Sequence, residues 1–226
     1  MGDAIGQMLA SAVGIAISPL PLIAVILMLA TPKGRANGIA FTAGWLISLA
    51  ALVTVIVLVG SGADASAGDD GPATWTLWLK LALGVLFLLM GVKQWRNRPR
   101  EGHEARTPGW MKAIDRFTPV KSAGLAAALA VANPKNLVLA VGGAVSIASS
   151  TAGPGGKTVA AALMVLIASL CTLLPLSVYL FGGAKSASVL GDWKAWMATH
   201  NAAIMTTVLI VLGAKYVGDA ISGLTG

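Results

Sequence analysis

One lysine in this chain stands where a charge is expensive. Lys135 lies in Asn133-Pro134-Lys135-Asn136, inside a long apolar run. A lysine near the centre of a bilayer costs about 2.5–3.5 kcal/mol on insertion scales, so it is expected to face the interior and act. Its ammonium suits an anionic or sugar head group. The amides of Asn133 and Asn136 suit either freed backbone or a polar substrate. The competing reading is that Lys135 snorkels to an interface and the prolines only shape the helix. A second interruption, Ser18-Pro19-Leu20-Pro21, falls within the first apolar run. Proline inside a helix removes a hydrogen bond and clashes with the preceding turn, at a cost of about 3 kcal/mol or more. In lipid the freed carbonyls find no water, so such breaks must sit beside protein or a wet cavity. The candidate binding residues are Ser18, Pro19, Pro21, Asn133, Pro134, Lys135 and Asn136. Trp45, inside a span, and Lys215, a turn or two inside the end of another, are candidates for a supporting or gating role.

Other chemistry is poorly supplied. Cys171 is the single cysteine and lies in an apolar run, so no internal disulfide can form. His103 and His200 fall at loop or interface positions and make no metal-ligand cluster. No Asp or Glu lies in the middle of an apolar run, so a midplane carboxylate relay has no members. No Ser/His/Asp set or phosphate loop appears in a believable context. Neither an enzyme nor a cofactor is expected.

The elements that must carry these residues follow from composition. The chain has 226 residues, 56% hydrophobic and 11% charged. Soluble domains carry roughly 25% charged residues, so this chain cannot clothe a water-facing surface. A helix crossing about 30 Å of hydrocarbon needs about 20 apolar residues. Six stretches qualify: Ala4 to Ala30, Asn37 to Val59, Trp75 to Gln94, Ser122 to Ile147, Thr158 to Phe181, and Asn201 to Ile221. They are continuous rather than alternating, which argues against a β-barrel. Pro175, near the end of span five, reads as a kink rather than a ligand.

Charge sets the orientation. Lys93, Arg96, Arg98, Arg100, Arg106, Lys112, Arg116 and Lys121 crowd the loop between spans three and four. Lys33, Arg35, Lys185 and Lys194 fall on the same side. The opposite loops hold Asp64, Asp69, Asp70 and the lone Lys157. The positive-inside rule then makes the 96–120 loop cytoplasmic and both termini extracytoplasmic. The positive charge thus reflects topology, and nucleic acid is not an expected partner. Trp75, Trp78, Trp95, Trp193 and Trp196 read as headgroup-level anchors. Trp110, Ile114 and Phe117 recur at helical spacing in the basic loop, which reads as a short interfacial helix or a flexible linker.

The two halves echo each other. Ser18-Pro19 matches Asn133-Pro134, 115 residues on. Pro32 and Gly34 match Pro154 and Gly156, and Gly91-Val92-Lys93 matches Gly213-Ala214-Lys215, each 122 residues on. Three spans per half is an odd number, so the second half is inverted relative to the first. Inverted repeats with broken helices build secondary transporters. The expected fold is an all-α integral membrane protein with six transmembrane helices, arranged as two inverted three-helix repeats with helices 1 and 4 broken. Residues 1–95 form the first repeat, 96–120 the basic loop and 121–226 the second repeat. Gly84 and Gly91, a heptad apart, and Gly142-Gly143 allow close helix approach within or between subunits.

The two break motifs, in spans one and four of a six-span chain, resemble those of the LysE superfamily of exporters. The longer strings Ile17-Ser18-Pro19-Leu20-Pro21-Leu22-Ile23 and Asn133-Pro134-Lys135-Asn136-Leu137 are similar to its peptidoglycolipid-addressing branch, also called GAP or Sap. Leu20 stands where amino-acid exporters of the superfamily have glycine, which disfavours a small amino-acid substrate. The thiol-electron branch needs paired cysteines in spans one and four, and Cys171 lies alone in span five. The resemblance implies a transporter that moves a glycolipid or related envelope lipid to the cell surface. The alternatives are a small-solute exporter of amino acids or cations, and a non-transporting membrane scaffold for envelope lipid assembly. The partners implied are a lipid or glycolipid substrate, membrane lipids, and a second copy of the chain or envelope lipid-assembly proteins.

Overall fold

The computed structural model describes residues 2–65, 74–96 and 114–225. Among these, every regular element is a helix. Span one is a bent pair, α1 (Gly2–Ala16) and α2 (Pro19–Leu29). Spans two and three are the single helices α3 (Gly34–Ala65) and α4 (Thr74–Arg96). Span four is α5 (Pro119–Ala127), a π-helical turn (Ala128–Ala132) and α6 (Pro134–Ala148). Span five is α7 (Pro154–Ala168) and α8 (Leu170–Phe181), and span six is α9 (Ser186–Thr225). Three helices are long and apolar enough to cross a membrane alone, and each of the three bent pairs passes the same test jointly, giving up to six crossings. These are the helices of a multi-pass membrane protein.

Proline decides where four of the helices start. Pro19, Pro119, Pro134 and Pro154 each occupy a first-turn position. The missing N–H does no harm there, because first-turn donors have no intrahelical partner. The residue before a proline is pushed out of the helical region. Ser18, Thr118, Asn133 and Gly153 are accordingly extended, with ψ of 118°, 162°, 115° and 170°.

Three expectations need correction. Span five does not merely kink near its end. It bends by 56° at Ser169, six residues before Pro175. A proline ring clashes with the carbonyl four residues back, and for Pro175 that is Cys171, already inside α8, so the proline does not account for the break at Ser169. Span four begins at Pro119, ahead of Ser122. The last helix begins at Ser186, so Trp193 and Trp196 lie within it instead of preceding it. At 1.5 Å per residue its 40 residues reach about 60 Å, twice the hydrocarbon thickness. In the basic loop, Ile114–Arg116 form a single 3-10 turn with Ile114 buried. Trp110 and the rest of 97–113 lie outside the described residues.

Packing assembles the halves. α4 and α9 run antiparallel in the most extensive contact of the bundle. Leu77 meets Gly223, Gly84 meets Gly213 and Val217, and Gly91 meets Leu209 and Ile210. A Cβ at Gly84 would lie 2.8 Å from the Val217 nitrogen, so only glycine permits this approach. Phe87 stacks on Tyr216 with ring centroids 5.7 Å apart, and Tyr216 shares a 2.9 Å hydrogen bond with Ser11. α3 buries Phe41, Trp45, Leu49, Val53 and Val57 at four-residue spacing, while Ile47, Val55, Leu58 and Val59 stay exposed. One stripe faces the bundle and the other suits lipid.

Hydrogen bonds fix the ends. Asn37 donates to Thr31 Oγ1 at 3.4 Å and to the Phe117 carbonyl at 3.1 Å. The α2–α3 turn and the segment entering α5 therefore share one end of the bundle. At the other end, Lys157 Nζ donates to Ser61 Oγ and to the Ala148 carbonyl, closing the C-terminal end of α6.

Candidate functional site

The breaks of spans one and four come to the same level. α1 and α6 pack antiparallel, with Ser11 against Gly143 and Gly14 against Leu139. That register, carried on by one turn, sets the C-terminal end of α1 beside the N-terminal end of α6. Ser18 is buried and caps α2 with backbone alone, making no side-chain cap bond. Pro19 and Pro21 are both buried in the first turn of α2. The expected double interruption is thus a single one, at Ile17-Ser18. Neither proline brings an N–H, so this helix start has two fewer donors to satisfy.

Break four is built differently. The Asn133 N–H reaches back to the Ala128 carbonyl at 3.1 Å, one residue further than in an α-helix. This π-helical step deprives the Leu129 carbonyl of its usual donor. The Asn136 side chain fills the gap, its amide donating to Leu129 O at 3.0 Å. Asn133 Oδ1 accepts from the Lys135 backbone N–H at 3.1 Å, capping α6. Both amides thus serve the backbone. Pro134 is exposed and Lys135 is half-buried, so the cation is not sealed at a junction. Among the described residues, Lys135 Nζ has no ion pair or hydrogen bond, and the buried Asn136 Oδ1 has no partner.

The bend in span five creates the third part of the site. Ala16, Ile17 and Leu22 from span one, Leu170, Cys171 and Leu174 from α8, and Trp193, Trp196 and Met197 from α9 enclose a cavity of about 490 Å³. Its walls are apolar. Leu174 is 49% exposed and Trp196 54%, so one side opens outward from the bundle. Typical ligand pockets span roughly 300–1,000 Å³. The family described as Sap, sulfolipid-1-addressing protein, matches residues 8–222 of the chain.

The chain belongs to the sulfolipid-1-addressing protein family. Neither a curated protein nor a solved structure matches it. The family carries a role in lipid addressing or export, and an apolar cavity is the kind of space an acyl chain requires. In this chain the residues around the cavity were not all evident beforehand. Breaks one and four were expected to share it, yet breaks one and five line it, and Lys135 is not among the lining residues. Trp193 and Trp196, read above as anchors, form part of its wall. Trp196 also stacks on His200 with ring centroids 4.6 Å apart.

Of the remaining candidates, Trp45 is fully buried among the core side chains and lines no described pocket. Its indole N–H has no partner. Lys215 pairs with Asp219 at 2.6 Å, at the far end of α9 from the cavity. Among the described residues, no group of three metal-capable side chains occurs.

Proposed function

We propose that this protein translocates a lipid or glycolipid towards the cell surface. One acyl chain lies in the apolar cavity at breaks one and five, and the head group meets the ammonium of Lys135 at break four. The single observation that carries the reading is the cavity in a member of the sulfolipid-1-addressing family. It is apolar, it opens sideways, and it is framed by helix breaks that lipid alone would not tolerate. A small-solute exporter would need a polar passage there.

The two halves are inverted repeats, with Pro19 and Pro134 each opening the second part of a broken span. The antiparallel contact of α4 with α9 then lies on the axis relating the halves. The kinship is with LysE-type exporters. The membrane is the inner membrane, with the 96–120 loop cytoplasmic and both termini outside. Rocking of one repeat against the other alternately exposes the breaks. No residue carries out covalent chemistry in this scheme.

Reconstitution into vesicles with a fluorescent glycolipid tests it. The unaltered protein should move the label between leaflets, and Lys135→Ala should slow this roughly tenfold, the worth of one lost charge-assisted contact. Translocation at full rate in Lys135→Ala would remove the head-group role. No translocation by the unaltered protein would overturn the function.

A further inference from the structure

Two side-chain hydrogen bonds tie α3 to the other half of the chain, one near each end of that helix. Asn37 donates to the carbonyl of Phe117, on the segment entering α5, at 3.1 Å. Ser61 Oγ accepts from Lys157 Nζ, on α7, at 3.2 Å. Asn37 and Ser61 are 24 residues apart, about 36 Å along α3. The hydrocarbon layer is roughly 30 Å thick, so the two ties bracket it.

The ties are built alike. Asn37 is the fourth residue of α3, and Lys157 is the fourth of α7. Asn37 also donates to Thr31 Oγ1, just past the end of α2. Lys157 also donates to the carbonyl of Ala148, the last residue of α6. Each donor therefore holds the end of the broken span before it and one group beyond its own half. Inverted repeats would put such matched devices at opposite ends of a bundle.

The double bonding suits a tie that opens. A buried polar group stranded without a partner is strongly disfavoured. Here the crossing bond can break while each donor keeps its second bond. Phe117 and Ser61 are only half-buried, so water replaces the donor that each loses. Close packing accompanies each tie, Gly44 against Ala123 and Gly60 against Ala148. Both ends are thus shut in this structure.

We infer that Asn37 and Lys157 are paired latches that hold the two ends of the bundle shut, and that the transport cycle opens them one at a time. The inference rests on the export reading and its rocking of one half against the other. With both latches bonded, the structure is the state closed at both ends.

Distances between nitroxide spin labels on the protein in nanodiscs read the two ends without any need for transport. Labels on Arg35→Cys and Lys121→Cys report one end, and labels on Val59→Cys and Gly155→Cys the other. All four positions are exposed, and Cys171→Ser removes the native thiol. Ser61→Ala deletes one crossing bond and leaves Lys157 on Ala148. It should enlarge the longer-distance population of the Val59–Gly155 pair roughly fivefold, the worth of one net hydrogen bond. The Arg35–Lys121 pair should stay short. Asn37→Leu should do the reverse. Bonds that merely stabilise the fold would leave both distances unchanged and lower only the unfolding midpoint; that result would overturn the latches. Both ends opening in one variant would overturn their alternation. If Asn37→Leu does not fold, Ser61→Ala decides alone. Openings in a protein that moves no lipid would sink the export reading and leave the latches standing. Lipid movement with unresponsive ends would sink the latches alone.

Discussion

Breaks one and four share a proline at the start of the second helix, yet they are held by different forces. Break one bends by 46° and break four by 63°. At break one the chain reduces the number of groups needing partners: Pro19 and Pro21 bring no N–H, and Ser18 makes no cap bond. At break four the chain keeps those groups and supplies partners through Asn133 and Asn136. The gentler bend needs only apolar residues and can line an acyl cavity. The sharper one needs a π-helical turn and two amides, and it leaves a lysine unpaired. The contrast teaches that apolar and polar parts of one substrate can be served by two versions of the same interruption.

The contrast can be broken in graded steps. The largest effect is expected at Gly44, where a Cβ would lie 2.7 Å from the Ala123 carbonyl in α5. Gly44→Val should push α5 off α3 and cost about 3 kcal/mol, the upper range for overpacking, read as a fall in the unfolding midpoint in detergent. Next is Asn136→Leu, which strands the Leu129 carbonyl. It should cost about 2 kcal/mol in the same measurement. Asn133→Ala should cost about 1 kcal/mol as a lost N-cap. Ser18→Ala should change stability least, by a few tenths of a kcal/mol, because no cap bond exists to lose. Equal costs for Asn133→Ala and Ser18→Ala would show that the two breaks are held alike.

Much of this was legible beforehand because proline acts locally. Ser18-Pro19 and Asn133-Pro134 mark their bends at the residue concerned, since each forces its predecessor to extend. The bend at Ser169 was missed because no proline marks it: Pro175 lies inside the following helix, six residues on. The cavity was missed for another reason. Leu170, Leu174 and Met197 look like any lipid-facing residues until the bend brings them together, and tryptophan near a span end reads as an anchor whether or not a cavity lies beneath. The roles of Asn133 and Asn136 were left open between backbone and substrate. The π-helical step, invisible in the amino-acid string, commits their bonded groups to the backbone.

An acyl chain should occupy the space between breaks one and five. A glycolipid bearing a photoactivatable group near the end of its acyl chain, cross-linked in vesicles and mapped by peptide mass, addresses that directly. Labels should concentrate on the 170–174 and 193–197 segments and fall sharply when Cys171→Trp fills the cavity. Labels confined to Ile47, Val55, Leu58 and Val59 on the outer face of α3, unaffected by Cys171→Trp, would contradict it.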